Sequence, residues 1–118
     1  MSGSGLKVAL TRSAETDLLG IWNQRRSQRG NDGPDGADAL LEELVALIET
    51  LRAHPQKGPV PSELKALGIS NYRQLSHAPF RIIYSIERVS EAETVVVHLV
   101  ADARRDFRTL LAERLLGA

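Results

Sequence analysis

Three apolar, β-prone runs follow one another in the last third of the chain, and short polar breaks separate them. These runs predict β-strands at residues 72–76, 80–88 and 94–101, joined by turns at 77–79 and 89–93. The middle strand would then have two faces, formed by Phe80, Ile82, Tyr84 and Ile86 and by Arg81, Ile83, Ser85 and Glu87. A shorter alternating run at residues 6–10 predicts another strand near the N-terminus.

Apolar residues three and four positions apart predict three helices. The first would begin at Ser13, whose hydroxyl can cap a free backbone amide, and its buried stripe would end in Trp22. The second spans about residues 37–53 and stops before Pro55. The third follows Asp102, the predicted cap, and its buried stripe consists of Phe107, Leu110, Leu111 and Leu115.

The segments between these elements complete the expected architecture. Residues 27–36 contain three glycines, one proline and two aspartates, which predicts a mobile connection within a helical hairpin. Phosphate binding by this loop is the alternative, but neither glycine-rich phosphate-binding pattern is present. A single helical turn is expected at residues 62–67. The predicted order is β-α-α-β-β-β-α, an α+β fold with a small, twisted, mainly antiparallel sheet and its helices gathered on one face. Residues 1–5 would be a flexible tail, and residues 6–118 a single domain.

Composition narrows the class of protein. The 42% hydrophobic and 25% charged residues are typical of a soluble globular domain, and no apolar run approaches the roughly 20 residues of a membrane span. The absence of cysteine favours a cytoplasmic location, and three dispersed histidines lack metal-ligand spacing, so we expect no metal or other cofactor. The 15 basic and 15 acidic residues balance, which disfavours a purely electrostatic nucleic-acid binder.

Four arginines in the strand-rich region are the main candidates for binding: Arg73, Arg81, Arg104 and Arg105. An antiparallel sheet would bring them to one surface, which would suit a phosphate backbone or an acidic partner. For the adjacent pair after the last strand the alternative is structural, because a helix start often pairs its arginines with neighbouring aspartates.

Three segments carry a resemblance to a known family. They are LTRSAETDLLGI at residues 10–21, YRQL and FRIIYSI at residues 72–75 and 80–86, and VVVHLVADARRDFRTLLAERLL at residues 95–116. In their order and spacing they resemble the RelE/ParE superfamily of bacterial toxins from type II toxin–antitoxin modules. The resemblance implies a plasmid-stabilisation or addiction toxin that inhibits growth, is neutralised by a cognate protein antitoxin, and forms a hetero-oligomer with it.

The superfamily divides by target. RelE-like members cleave messenger RNA on the ribosome, using lysines on the second strand, an arginine opening the third, another after the fourth, and a tyrosine on the last helix. Here Arg81 and Arg105 stand at the arginine positions, whereas Tyr72 and Gln74 replace the lysines and Leu111 replaces the tyrosine. ParE-like members inhibit DNA gyrase without chemistry of their own. The missing lysines and the zero net charge therefore favour a ParE-like gyrase inhibitor.

A ribosome-dependent endoribonuclease remains the alternative, with Arg81 and Arg105 stabilising the phosphate and His98 or Tyr72 moving the proton. The other interpretation of His98 is a half-buried histidine packed within its strand, on the same face as Val96 and Val100. An inactive module that only binds antitoxin is a third possibility.

Two surfaces are expected to meet the partners. Gyrase would contact the final helix, residues 107–116, and the sheet surface that bears Arg81, Arg104 and Arg105. The partner-binding side chains of that helix would be its apolar stripe, Phe107, Leu110, Leu111 and Leu115. The antitoxin, an acidic amphipathic segment, would lie across the helical hairpin or along the sheet edge. The choice of gyrase assumes that the arginines share one face without a proton-transfer group beside them.

Overall fold

The computed structural model describes residues 5–117 and contains the predicted elements in the predicted order, including the short helical turn expected at residues 62–67. The strands are β1 (Lys7–Leu10), β2 (Arg73–His77), β3 (Phe80–Val89) and β4 (Ala92–Asp102). The helices are α1 (Arg12–Arg29), α2 (Ala37–Glu49) with a following 3₁₀ turn (Thr50–Arg52), α3 (Ser62–Lys65) and α4 (Phe107–Leu115). The hairpin connection is shorter than predicted because α1 continues to Arg29. Of the expected N-terminal tail, residues 1–4 lie outside the described part of the chain.

The four strands form one mixed sheet in the order β1-β4-β3-β2. β2, β3 and β4 pair in antiparallel fashion, while β1 lies parallel to β4, with Lys7 opposite Thr94. A parallel pair needs a long crossover, and here the helical hairpin and the later hairpins together supply it. The α+β fold class is confirmed.

The sheet buries apolar side chains on both faces. Alternate residues of β3 divide as the sequence predicts, with Ile82 and Tyr84 in one core and Ile83 in the other. The first core packs against α1 and α2, and the second against α3 and α4. The expectation that all helices lie on one face is therefore wrong. The centres of β3 and β4 are buried on both sides, and there the sequence is continuously apolar, at residues 82–84 and 95–97.

The residues that cap α1 and α4 differ from the predicted ones, by two positions in α1 and by four positions in α4. Thr11, not Ser13, caps α1, because its hydroxyl accepts a hydrogen bond from the amide of Ala14 at 3.0 Å. Asp106, not Asp102, caps α4 by accepting from the amide of Thr109 at 3.2 Å. The shift frees Asp102 for a different contact described below.

Trp22 is only partly buried, so its assignment to the core is wrong. Its indole nitrogen donates to Asp38 Oδ1 at 2.9 Å, and the guanidinium of Arg26 lies 5.1 Å from its ring centre. The hydrogen bond links α1 to the start of α2, while the ring stays partly accessible on the outside of the hairpin.

A β-bulge interrupts β4 at His98. Tyr84 pairs with Val97 and Ile83 pairs with Leu99, so His98 is the extra residue between two paired positions. The bulge reverses the alternation of β4, and Val100 consequently joins the first core rather than sharing the face of His98. The prediction that His98 and Val100 share one face of the strand is therefore wrong.

Beyond the end of β1, the outer edge of β4 is closed by side chains from both helical layers. Asp17 of α1 accepts a hydrogen bond from the amide of Val100 at 3.0 Å, and Arg114 of α4 donates to the carbonyl of His98 at 3.0 Å. Arg114 also forms an ion pair with Asp17. This Asp17–Arg114 bridge joins the layers on opposite sides of the sheet and satisfies backbone groups that would otherwise be unpaired.

Candidate functional site

Arg81 lies on the α4 side of β3 and is held by several internal contacts. Its guanidinium forms a two-pronged pair with Glu63 of α3, with both nitrogen–oxygen distances 2.9 Å, and its Nε donates to Gln74 at 3.0 Å. The guanidinium carbon lies 4.0 Å from the ring centre of Phe107. The side chain of Arg81 is 13% exposed and that of Glu63 is 25% exposed. This planar, paired geometry is the strongest that arginine forms with a carboxylate.

The electrostatics of Glu63 agree with this geometry. The hydrogen bonds from Arg81 lower the pKa of Glu63, although partial burial opposes the shift, and the charges of Arg81 and Arg108 lower it further. Glu63 is therefore ionised at neutral pH and occupies the side of Arg81 that an external phosphate or carboxylate would use.

Arg73 lies on the opposite face of the sheet. It stands opposite Tyr84 in the β2–β3 register, and it donates to the carbonyl oxygens of Gln56 at 3.2 Å and Gly58 at 2.8 Å. The hydroxyl of Tyr84 binds the same segment by donating to Pro55 and accepting from the amide of Gly58. Arg73 therefore fastens the link before α3 to the sheet.

Arg104 and Arg105 lie in the turn after β4. Arg104 forms a two-pronged pair with Asp102, with nitrogen–oxygen distances of 3.0 and 2.7 Å, and these bonds lower the pKa of Asp102 to about 2. The backbone amide of Arg105 donates to the carbonyl of Asp102. Within residues 5–117 its exposed side chain has no hydrogen-bond or ion-pair partner.

The predicted gathering of the arginines on one sheet face is therefore wrong. Arg81 and Arg73 lie on opposite faces, and Arg104 and Arg105 lie in a turn, where they line a cleft with Arg25 of α1. The sequence identifies the cationic residues, but it does not show with which carboxylate each of them forms a pair. The structural alternative considered for Arg104, a pair with a neighbouring aspartate, is the one observed.

His98 is the centre of a polar cluster on the α4 side of the sheet. Its Nε2 lies 2.8 Å from Ser85 Oγ and 3.2 Å from Glu87 Oε2, and the Ser85 hydroxyl also donates to Glu87. The ring of Tyr72 meets the imidazole edge-on, with ring centres 5.4 Å apart. The side chain of His98 is 18% exposed and that of Glu87 is 46% exposed, so the cluster opens to solvent on one side.

This cluster contains a histidine and a carboxylate in contact, which is a possible proton-transfer pair. Arg114 lies next to His98, but its guanidinium is bound to the backbone carbonyl of His98 and to Asp17. Ser85 and Glu87 were missed as site residues, although their alternation with Arg81 already placed them on that face. The contact with His98 depends on the bulge, which the sequence did not indicate.

The apolar stripe of α4 faces inward. Phe107, Leu110 and Leu111 are at most 8% exposed and belong to the second core, with Leu115 packed at its edge. Partner binding through these side chains is therefore contradicted for the three buried residues, since they already pack against the sheet.

An exposed apolar groove instead lies on the helical hairpin and β1. It encloses about 470 Å³ and is lined by Leu10, Glu15, Leu18, Leu19, Trp22 and Leu41. Leu19 is 59% exposed, and on α2 the nearby outer residue Val45 is 42% exposed. We call this feature the hairpin groove.

Among residues 5–117, no cluster of three or more histidine, aspartate or glutamate side chains could hold a metal ion. No helix in that range has the length and apolar character needed to cross a membrane.

Comparison with known proteins adds family information to this geometry. Residues 8–107 match the model of a family described as ParE toxin of type II toxin-antitoxin system, parDE. A search among curated proteins finds no significant match.

Two solved structures share the fold. A chain from the chromosomal ParDE toxin–antitoxin system of P. aeruginosa superposes with a TM-score of 0.65 at 18% identity, covering 85% of this chain and 98% of its own length. A chain from the RelBE2 toxin–antitoxin complex of Mycobacterium tuberculosis superposes with a TM-score of 0.54 at 21% identity, covering 83% and 98%. At these identities the structural likeness establishes the fold, while the family match covers most of the sequence.

Proposed function

Because the chain belongs to the family of ParE toxins of type II toxin–antitoxin systems, we propose that it inhibits growth by binding DNA gyrase, without chemistry of its own. The observation that carries this proposal is the Arg81–Glu63 pair. RNA cleavage needs free cations around the crowded phosphate. Here Arg81 stands at an arginine position of the RelE-like nucleases by resemblance. Its guanidinium is bound to Glu63 and Gln74 and packs on the ring of Phe107. Because the predicted arginine surface does not form, it is the pairing of Arg81 that favours binding over cleavage.

A gyrase assay tests the proposal directly. Purified protein added to DNA gyrase should slow the supercoiling of relaxed plasmid or trap cleaved DNA, and addition of the cognate antitoxin should restore activity. Full supercoiling activity at saturating toxin would reject gyrase as the target.

The polar cluster around His98 favours a second candidate function, ribosome-dependent RNA cleavage. His98 and Glu87 would share the proton transfer, with Tyr72 and Ser85 fixing the imidazole. In this alternative Arg114, which contacts the backbone of His98, is already bound to that carbonyl and to Asp17.

Substitution of the imidazole separates the two candidates. A gyrase binder should remain toxic as the His98→Ala variant, whereas a nuclease should lose toxicity together with codon-phased cuts seen by primer extension on translated messenger RNA. His77→Ala is the matched control, because His77 also contacts a glutamate, Glu43, at 3.0 Å but on the helical hairpin side. Unimpaired growth on expression of the unaltered chain without antitoxin would instead favour an inactive antitoxin-binding module.

We further propose that the hairpin groove receives an amphipathic segment of the antitoxin, forming a toxin–antitoxin hetero-oligomer. Several apolar side chains line it, and an amphipathic helix buries its apolar face in such a groove. Leu19→Lys should weaken antitoxin binding, as measured by calorimetry, without unfolding the toxin, because Leu19 is 59% exposed. Leu67→Lys is the control, since Leu67 is 64% exposed and does not line the groove. Equal loss in both variants would contradict the assignment.

A further inference from the structure

A second concave feature lies between α1 and the C-terminal end of β4. It encloses about 410 Å³, and residues of α1, of the β2–β3 turn and of the turn after β4 form its walls. We call it the α1 cleft. Its floor contains apolar side chains, among them half-buried Ile21 and Phe80. Its rim carries the guanidinium groups of Arg25, Arg104 and Arg105. The cleft therefore combines an apolar base with cationic edges.

Two carboxylates also line the α1 cleft, but both are already paired. Asp17 accepts hydrogen bonds from the Val100 amide and from Arg114, which itself lies outside the cleft. Asp102 is held by Arg104 through two hydrogen bonds. These pairs leave Arg25 and Arg105 as the cations able to bind an incoming anion.

The donor capacity of these two arginines is largely unused. A guanidinium has five N–H donors. Arg25 uses one of them on the carbonyl of Asp35, at 3.2 Å, and the side chain of Arg105 uses none within residues 5–117. Gln24 and Gln28 are exposed one helical turn apart on α1 and add amide donors to the same wall.

Gly20 keeps the α1 wall open. A methyl group added at its α-carbon would meet no atom within 4 Å. A partner backbone can therefore approach the helix closely at this position. The same geometry makes the position suitable for testing, because a side chain introduced there would start from open space.

From these features we propose that the α1 cleft binds an acidic peptide segment of a partner protein, with an apolar side chain on the floor and a carboxylate between Arg25 and Arg105. A nucleic-acid backbone fits less well. The apolar floor offers nothing to a string of phosphates, and the chain has no net positive charge. The inference does not depend on whether gyrase or the ribosome is the target.

Nuclear magnetic resonance titration of the full chain tests the proposal. The probe is the capped peptide acetyl-Leu-Glu-Leu-Asp-Leu-amide, and the control probe replaces its acids by glutamine and asparagine. The acidic peptide should shift the backbone amides of Gly20 and Arg105 and the side-chain amides of Gln24 and Gln28. Loss of a charge-assisted contact in Arg105→Glu should weaken binding by about tenfold or more.

Matched variants separate the cleft from general electrostatic attraction. Gly20→Glu places a carboxylate in the cleft and should abolish binding, while Gly20→Ala should retain it. Arg29→Glu makes the same charge change as Arg105→Glu on an exposed α1 residue outside the cleft and should bind normally. Circular dichroism confirms that each variant is folded.

Four outcomes would overturn the proposal. They are the absence of shifts at millimolar peptide, equal binding of the neutral control peptide, equal weakening by Arg29→Glu, and tighter binding of a single-stranded oligonucleotide at the same amides. The last outcome would identify a polyanion site instead. None of them bears on the gyrase assay, so failure here and failure there are distinguishable.

Discussion

The Arg81–Glu63 pair can be measured by a double-mutant cycle on the stability of the fold. Arg81→Met removes the guanidinium but keeps an unbranched chain beside Phe107, and Glu63→Gln removes the charge at constant size. Exposed pairs contribute roughly 0–1 kcal/mol, while breaking a buried pair costs roughly 3–5 kcal/mol. With side-chain exposures of 13% and 25%, this pair falls between the two classes. We expect a coupling free energy of about 1–2 kcal/mol.

The single variants should differ in a defined order. Arg81→Met also loses the hydrogen bond to Gln74 and the contact of the cation with the Phe107 ring, so it should destabilise by about 2–3 kcal/mol. Glu63→Gln should cost about 1–2 kcal/mol, because an amide has one accepting oxygen and no charge and cannot keep the two-pronged pair with Arg81. Urea unfolding at pH 7 gives these values, and each kcal/mol lowers Tm by about 4 °C or more in a chain of this size.

The pH dependence follows from the direction of the pKa shift. The pKa of Glu63 is lower in the folded protein than in the unfolded chain, so the folded state binds its proton less readily. The contribution of the pair is complete above the ordinary glutamate range and is lost as pH falls through the lowered pKa. The stability difference between the unaltered chain and Glu63→Gln should therefore be largest at neutral pH and shrink in acid.

The exposed pair Arg52–Glu49 is the control cycle. Its side chains are 44% and 48% exposed, so solvent screening should make its coupling clearly smaller than that of Arg81–Glu63. If the Arg81–Glu63 coupling is no larger than this control, Glu63 does not hold Arg81. Arg81 would then be available to a phosphate, and the reasoning that favours a binder over a nuclease would be refuted.

Three further predictions concern the packing that supports the sites, and urea unfolding measures all of them. Tyr84→Phe should cost about 1–3 kcal/mol, because the buried hydroxyl bonds two backbone groups of the link before α3. Gly58→Ala should destabilise strongly, because its new carbon would lie 2.1 Å from a carbonyl oxygen of β2, whereas Gly20→Ala should stabilise by about 0.5–1 kcal/mol. Asp17→Asn should cost about 2–3 kcal/mol and hasten amide exchange along the outer edge of β4, since Arg114 loses its carboxylate; unchanged exchange would contradict that role.

The sequence predicted the fold well where a short period determines the structure. The two faces of β3 follow directly from its alternation, because neighbouring strand residues must point to opposite sides of a sheet. The stripe of α4 was also found, since Phe107, Leu110 and Leu111 recur at helical spacing and are buried. These patterns depend on nearby residues, so one sequence is enough to reveal them.

The sequence did not predict features that depend on a shift of one or two residues along the chain. Thr11 and Ser13 both carry capping hydroxyls, and only the observed start of α1 shows which one caps. The bulge at His98 leaves no mark in a run of apolar residues, yet it decides that the imidazole meets Ser85 and Glu87. Local propensity is nearly equal for the alternatives, so tertiary pairing makes the choice.

The partners of the arginines were the largest gap in the sequence interpretation, and they change which experiments are informative. Arg73 fastens a link to the sheet, Arg81 holds α3, and Arg114 joins α4 to α1. Substitution of any of these residues should weaken the fold, so a loss of toxicity would not identify the target. Arg105 has no side-chain partner in the described range, and His98 lies at an accessible cluster. Variants at these two positions leave the three structural arginines in place, so their effects on growth can be separated from a loss of fold stability.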